Sequence, residues 1–197
     1  ITAGTYPSIT TDQRGVKRVG VTDIGAHEFR EDVVTLNTYT GTSVYGELGY
    51  AISNATAFTT IGFNLLGRYS EIKPTVALPV ISQPVYVDGY SQPYFLTADF
   101  VTAFSKNTAS VGISTNAQLG VSINGENLPA FTTVLEFDGT SGGSTVEGIA
   151  IHSALYGTGI NFLVTRNNNA VKGWFLHRYF ALYQCCSHQT IDVWNKN

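Results

Sequence analysis

The stretch TVEGIAIH at residues 145–152 returns 25 positions later as AVKGWFLH at residues 170–177. In both copies a glycine holds the fourth place and a histidine the last. Between the copies lies another β-like run, residues 160–164, at roughly half that interval. A repeat of 20–50 residues made of short strands is typical of a β-solenoid, in which each turn of chain stacks on the one before. The repeat therefore predicts a solenoid with His152 and His177 in equivalent places.

A second pair of similar stretches supports the same interpretation. VDG at residues 87–89 and FDG at residues 137–139 are separated by 50 positions, which is twice the first interval. An antiparallel sandwich would also contain many short strands, but it requires no repeated residue type at a fixed offset. Turn-forming Asn-Gly, Asp-Gly and Gly-Gly pairs separate further β-like runs, which we predict at 33–36, 59–65, 78–81, 85–88 and 132–138.

Composition narrows the classes of function. Hydrophobic residues make up 43% of the chain and charged residues 13%, with a formal net charge of -3. Such a chain has no basic surface for nucleic acid or for an anionic membrane. It also has no apolar run near the roughly 20 residues that a membrane-spanning helix needs. The adjacent Cys185 and Cys186 are too constrained for an ordinary cross-link, so we expect two free thiols.

One helix is predicted near residues 44–57. Thr42 or Ser43 would be its N-cap, while Gly46 and Gly49 weaken it. Apolar residues at spacings of three or four form one face, and we expect this face to cover an open end of the core: Leu48, Ala51, Ile52 and Ala55.

Several segments together resemble a known family. DIGAHE at residues 23–28 is similar to a motif that closes many repeat domains, and residues 34–55 resemble a degraded entry segment. LPVI at 78–81, VYVDGYSQP at 85–93, LEFDG at 135–139 and VEGIAI at 146–151 resemble coil motifs. These motifs resemble right-handed parallel β-helix repeat proteins of the bacterial exported kind, within the broad pectate-lyase-like superfamily.

The resemblance implies an all-β, right-handed parallel β-helix with one N-terminal capping helix and about four coils. Residues 1–32 would then be a remnant or linker of a preceding domain, residues 33–180 the β-helix, and residues 181–197 a divergent tail that loses the repeat. The chain starts at Ile1, so we expect covalent neighbours in a longer chain.

The resemblance also implies a function. We expect a non-catalytic extracellular or cell-surface structural module that presents loops for adhesion to a glycan or another cell-surface ligand. The alternative is a module that binds or degrades polysaccharide as a lyase or hydrolase. No cofactor is expected, although a lyase would place calcium-binding acids beside a basic residue.

The candidate chemistry is sparse. Glu136 and Asp138 are the one close acidic pair beyond the helix, and they would share an outward strand face if Leu135 and Phe137 point inward. Hydrolysis needs such convergent carboxylates. The competing interpretation is that Asp138 begins a turn and Glu136 is merely solvated.

Two further groups complete the candidates. Residues 90–129 interrupt the repeat and combine aromatic with amide side chains, which suit sugar rings; Tyr90, Gln92, Tyr94 and Phe95 are the predicted ligand contacts. The alternative is an excursion whose aromatic residues fill a small core of their own. His152 and His177 would be a weak metal pair or, alternatively, part of a polar ladder.

Overall fold

A computed structural model of the chain describes residues 32–42, 44–65, 70–92, 104–108, 116–163, 169–177, 181–184 and 190–195. The chain divides into two compact units, Ile1–Glu31 and Asp32–Asn197, and every described residue belongs to the second. The predicted motif at residues 23–28 lies outside the described residues.

The described residues form short parallel strands stacked in three columns, a β-solenoid-like arrangement with one short helix. Column A contains β1 (Val33–Val34), β3 (Thr59–Phe63), β5 (Val85–Asp88), β8 (Thr145–Glu147) and the first half of β11 (Ala170–His177). Column B contains β2 (Thr38–Tyr39), β4 (Ser70–Pro74), β6 (Val121–Asn124), β9 (Ile149–His152) and the second half of β11. Column C contains an isolated bridge at Ile81, then β7 (Leu135–Phe137), β10 (Thr158–Phe162) and β12 (Ala181–Gln184). The long strand β11 joins columns A and B into one ten-stranded sheet.

The register confirms the repeat that opened the sequence analysis. Thr145 pairs with Ala170 and His152 with His177, and both pairs are 25 positions apart. Ile160 pairs with Leu135 at the same interval in column C. All strand pairs are parallel, and among the described residues only the bridge between Ser105 and Gln118 is antiparallel. This part of the chain is therefore not an antiparallel sandwich.

The interpretation of the two Asp-Gly stretches as one repeat is wrong. Asp88 pairs with Glu147 in column A, whereas Phe137 pairs with Phe162 in column C. Asp88 and Asp138 instead begin two turns of the same kind. The side chain of each accepts a hydrogen bond from the backbone N–H two residues later, at 2.9 and 2.8 Å. Asn124 makes the same 2.9 Å turn after β6. The similarity of the two Asp-Gly stretches therefore reflects the turn that follows each strand, and it does not measure the number of residues in a coil.

The core consists of apolar side chains stacked from level to level. Ile61, Val87, Val146 and Val171 pair in sequence along column A, and all are buried. Column B stacks Ile72, Ile123 and Ile151 in the same way. In column C the rings of Phe137 and Phe162 lie 4.5 Å apart. Because side chains alternate between the two faces of a strand, the residues between these positions point outward.

The predicted helix exists but is shorter than expected. α1 spans Leu48–Asn54, its N-cap is Glu47 rather than Thr42 or Ser43, and no side chain caps it. Gly49 is required because a Cβ there would collide with the ring of Tyr39. α1 packs against β1 and β2, the first strands of columns A and B.

The strand columns also extend further than predicted. β12 pairs with β10, and β13 (Thr190–Asn195) pairs along the whole of β11. Parallel pairing of the described residues 181–184 and 190–195 therefore continues past the predicted end of the β-helix, and columns A and B each reach six described levels. Pairing continues here at a shorter interval, since Ala170 is 20 positions before its partner Thr190.

Candidate functional site

Two of the predicted ligand contacts, Tyr94 and Phe95, lie outside the described residues. Gln92 is buried, and its amide holds the backbone of Leu65: it accepts from the Leu65 N–H and donates to the Leu65 carbonyl, both at 2.8 Å. Gln92 is only 3% exposed, so little of its amide is accessible to a ligand. The structure therefore gives Gln92 a role in joining two levels, and ligand binding by it stays a prediction.

The predicted acidic pair lies in column C. Leu135 and Phe137 are buried, which confirms that they point inward and that Glu136 lies on the outer face. Asp138 begins a turn, and its Oδ1 accepts from the backbone N–H of Thr140 at 2.8 Å. The Thr140 hydroxyl lies 2.6 Å from both Asp138 Oδ1 and the Ser82 carbonyl, and its one hydrogen is shared between them. Of the predicted contacts that the structure describes, Asp138 is therefore joined to the segment before β5, whereas Tyr90 follows the end of β5.

Tyr90 instead belongs to a group that sequence reasoning missed, which we call the face A cluster: Tyr86, Asp88, Tyr90, Lys106 and Glu147. Asp88 and Glu147 are register partners on β5 and β8. Because Val87 and Val146 fill the core, both carboxylates project from the outer face. The Tyr86 hydroxyl bonds to Glu147 Oε1, and Lys106 Nζ lies 2.5 Å from the same oxygen.

Burial and neighbouring acids raise the pKa of three groups in the face A cluster, namely Tyr86, Asp88 and Tyr90. Burial, followed by Glu147 and Asp88, raises the pKa of Tyr90 to about 12. Burial also raises the pKa of Tyr86, with further contributions from its bond to Glu147. The pKa of Asp88 is raised as well, chiefly by burial, while its bond from the Tyr90 N–H opposes the shift. Both phenols therefore stay protonated at neutral pH.

A second polar group, the column B row, lies on the outer face of β4, β6 and β9. Glu71 is at its centre: Lys73 Nζ is 2.7 Å from one carboxylate oxygen, and His152 Nε2 is 3.2 Å from the other. Asn124, the register partner of His152, donates to Glu71 at 3.2 Å. The bond from Lys73 is the main reason that the pKa of Glu71 lies below its usual value.

The two histidines are register partners, as the repeat predicts, and Asn124 continues the same line. His152 makes contacts to Glu71 and Ser153, which supports the polar-ladder alternative for this residue. The structure does not describe the side chain of His177. Within the described part of the chain, no group of three or more His, Cys, Asp or Glu residues could hold a metal ion.

A third feature is a group of two exposed aromatic residues and one exposed leucine, which we call the aromatic corner: Phe131, Tyr156 and Leu155. The rings of Phe131 and Tyr156 stack with centroids 5.6 Å apart and planes 23° apart. They are 78% and 66% exposed, and Leu155 is 53% exposed. Both aromatic residues have left-handed backbones, with φ of 66° and 52°. The Phe131 N–H donates to the Leu155 carbonyl at 3.0 Å and joins the two loops.

The sequence contains a signal for the aromatic corner. Phe131 and Tyr156 are 25 positions apart, the interval of the repeat, so extending the comparison beyond residues 145–152 and 170–177 would have aligned them. No comparable signal exists for Lys106, because it lies in the excursion between β5 and β6, outside any repeated interval.

These features define a mostly β protein of parallel, solenoid-like build with three polar or aromatic outer sites. Comparisons with protein-family models, with curated proteins and with solved structures find no match to this chain. Among the described helices, none is long and apolar enough to cross a membrane.

Proposed function

We propose that this chain is a right-handed parallel β-helix that acts as a non-catalytic, extracellular or cell-surface adhesive module, and that its aromatic corner binds glycan. The single observation that carries the proposal is the stacked, solvent-exposed pair of Phe131 and Tyr156. The parallel columns support the β-helix, since parallel crossover connections are right-handed in about 98% of cases.

The aromatic corner is costly for the fold, which favours a function for it. A left-handed backbone at a residue other than glycine costs about 1–3 kcal/mol. Exposed aromatic rings at Phe131 and Tyr156 gain little hydrophobic stabilisation in return. The two rings stack on each other, and both side chains stay largely exposed to water. Apolar ring faces beside backbone polar groups suit the stacking of a sugar ring.

The described carboxylates support a binding module over an enzyme. Glu71 and Asp138 are engaged by their own neighbours, and Glu147 is shared by Tyr86 and Lys106. Cleavage of polysaccharide remains the second candidate, because Asp88 and Glu147 are adjacent carboxylates on neighbouring strands. Retaining glycosidases use a pair separated by about 5 Å.

A glycan array with the purified chain, followed by assay of reducing-sugar release on each bound glycan, tests the proposal. We expect binding without release, and loss of at least about tenfold in affinity when Phe131 and Tyr156 are both changed to Ala. Phe58→Ala is the matched control, since Phe58 is 80% exposed with φ of 65° but lies outside the aromatic corner.

Two results would contradict the proposal. Equal losses in the double variant and in Phe58→Ala would remove the aromatic corner from the binding site. Release of sugar that disappears in Glu147→Gln would establish the enzyme instead.

A further inference from the structure

Glu147 combines an outward direction with nearly complete burial. Its neighbour Val146 points into the core, so the Glu147 side chain leaves the outer face of column A. The residue is nevertheless only 3% exposed. A carboxylate removed from water needs partners, because burial of an unpaired charge is expensive. Its partners are the Tyr86 hydroxyl and the ammonium of Lys106.

Lys106 reaches this carboxylate from outside the strand columns. It lies in the excursion between β5 and β6, next to the Ser105–Gln118 bridge. Its Nζ is 2.5 Å from Glu147 Oε1 and 5.8 Å from the centre of the Tyr90 ring, while its own side chain is 62% exposed. The ammonium thus sits against a buried carboxylate and an aromatic face, which is how proteins recognise ammonium ligands.

We propose that the face A cluster is a binding site for a primary ammonium group, which Lys106 fills in the structure as an internal stand-in. The ligand class is an amino sugar within a glycan. Asp88 adds a second carboxyl group, so the face A cluster holds two carboxyl groups against the single ammonium of Lys106. A cationic ligand that displaces Lys106 would meet both acids. This site is separate from the aromatic corner and does not depend on it.

The surroundings favour a hydroxylated ligand over a lysine of a partner protein. The cores of protein interfaces are apolar and aromatic, with charged residues depleted. Apart from Lys106, the face A cluster instead consists of two carboxylates and two phenols. The exposed large apolar residues in the described part of the chain all lie elsewhere, including Phe58, Phe131 and Leu163. Carboxylate and phenol oxygens can hydrogen-bond sugar hydroxyls as well as the ammonium.

Calorimetric titration with a glucosamine oligomer and with its N-acetylated counterpart tests the proposal. Lys106→Met removes the internal competitor, so we expect the glucosamine oligomer to bind about fivefold tighter than to the parent chain. Glu147→Gln should weaken binding by at least about tenfold. The N-acetylated oligomer, which has no ammonium group, should not gain affinity from Lys106→Met.

Lys73→Met is the matched control. Lys73 also pairs with a glutamate, Glu71, but in the column B row, so this change should leave the affinity unaltered. In Lys106→Met the Glu147 carboxylate keeps the Tyr86 hydroxyl as a partner, so this variant keeps the test valid even if Glu147→Gln lowers the melting temperature. Unchanged affinity in Lys106→Met, or equal gains for both oligomers, overturns the ammonium site. Binding of a lysine-containing peptide without any binding of the glucosamine oligomer overturns the assignment to an amino sugar.

Discussion

At the scale of single residues, the corner between columns A and B depends on Gly148. Its φ of +70° separates β8 from β9, and an added Cβ would lie 2.6 Å from the Tyr90 ring. The glycine therefore permits both the change of strand direction and the close approach of the face A cluster. This glycine holds the fourth place of the repeat at residues 145–152, and it lies between the end of β8 and the start of β9.

Gly148→Ala should destabilise the protein by about 1–2 kcal/mol from the left-handed backbone alone, and further through contact with Tyr90. Urea unfolding measures the change. Gly139→Ala is the control, since nothing lies within 4 Å of its added Cβ, and it should stay within about 0.5 kcal/mol of the parent chain. Equal midpoints for the two variants would contradict the corner assigned to Gly148.

At the scale of elements, the outer faces of β4, β6 and β9 are joined by Glu71. Its carboxylate contacts Lys73 on its own strand, Asn124 on β6 and His152 on β9. Sequence reasoning predicted the stacking of the histidines but not this acid, because Glu71 lies 51 positions before its pairing partner Ser122. The excursion between β5 and β6 breaks the 25-residue interval and conceals that alignment.

Stability should depend on pH through Glu71. Its pKa in the folded protein is lowered, chiefly by Lys73, so the folded state favours the ionised form. This stabilisation is complete above the ordinary glutamate pKa of about 4.3, and it is lost as the pH falls through the lower folded value. Thermal melts of the parent chain and of Glu71→Gln should therefore differ slightly at pH 7, and the difference should shrink as the pH falls below the ordinary glutamate value. A difference that does not change with pH would exclude this linkage.

At the scale of the whole molecule, residues 145–169 supply one strand to each column: β8, β9 and β10. The corresponding strands of the next level begin at Ala170, which pairs with Thr145. The interval of 25 therefore measures one complete level rather than one pair of strands. Levels stacked in this way contribute to stability approximately as a sum of neighbouring interfaces.

Deletion of residues 145–169 should preserve the fold, because Ala170 then takes the place of Thr145 and the columns keep their register. The deleted protein should still melt cooperatively, as followed by circular dichroism. Deletion of residues 146–169 is the control: it displaces the buried Val171 by one position and turns its side chain outward. Similar melting of the two deletions would show that residues 145–169 are not a single level.

The sequence by itself determined the local structure of this protein, namely its short strands and the turns between them. Alternating apolar residues, the 25-residue interval and the Asp-Gly turns were sufficient to predict short stacked strands, because each depends on residues within one or two levels. Only the tertiary structure decided what the outer faces carry. It brought Lys106 into contact with Glu147 and stacked the exposed rings of Phe131 and Tyr156. It also assigned Asp88 and Asp138 to different columns. These contacts depend on how long excursions return to the columns, and the length of an excursion is not constrained by the pattern of its residues.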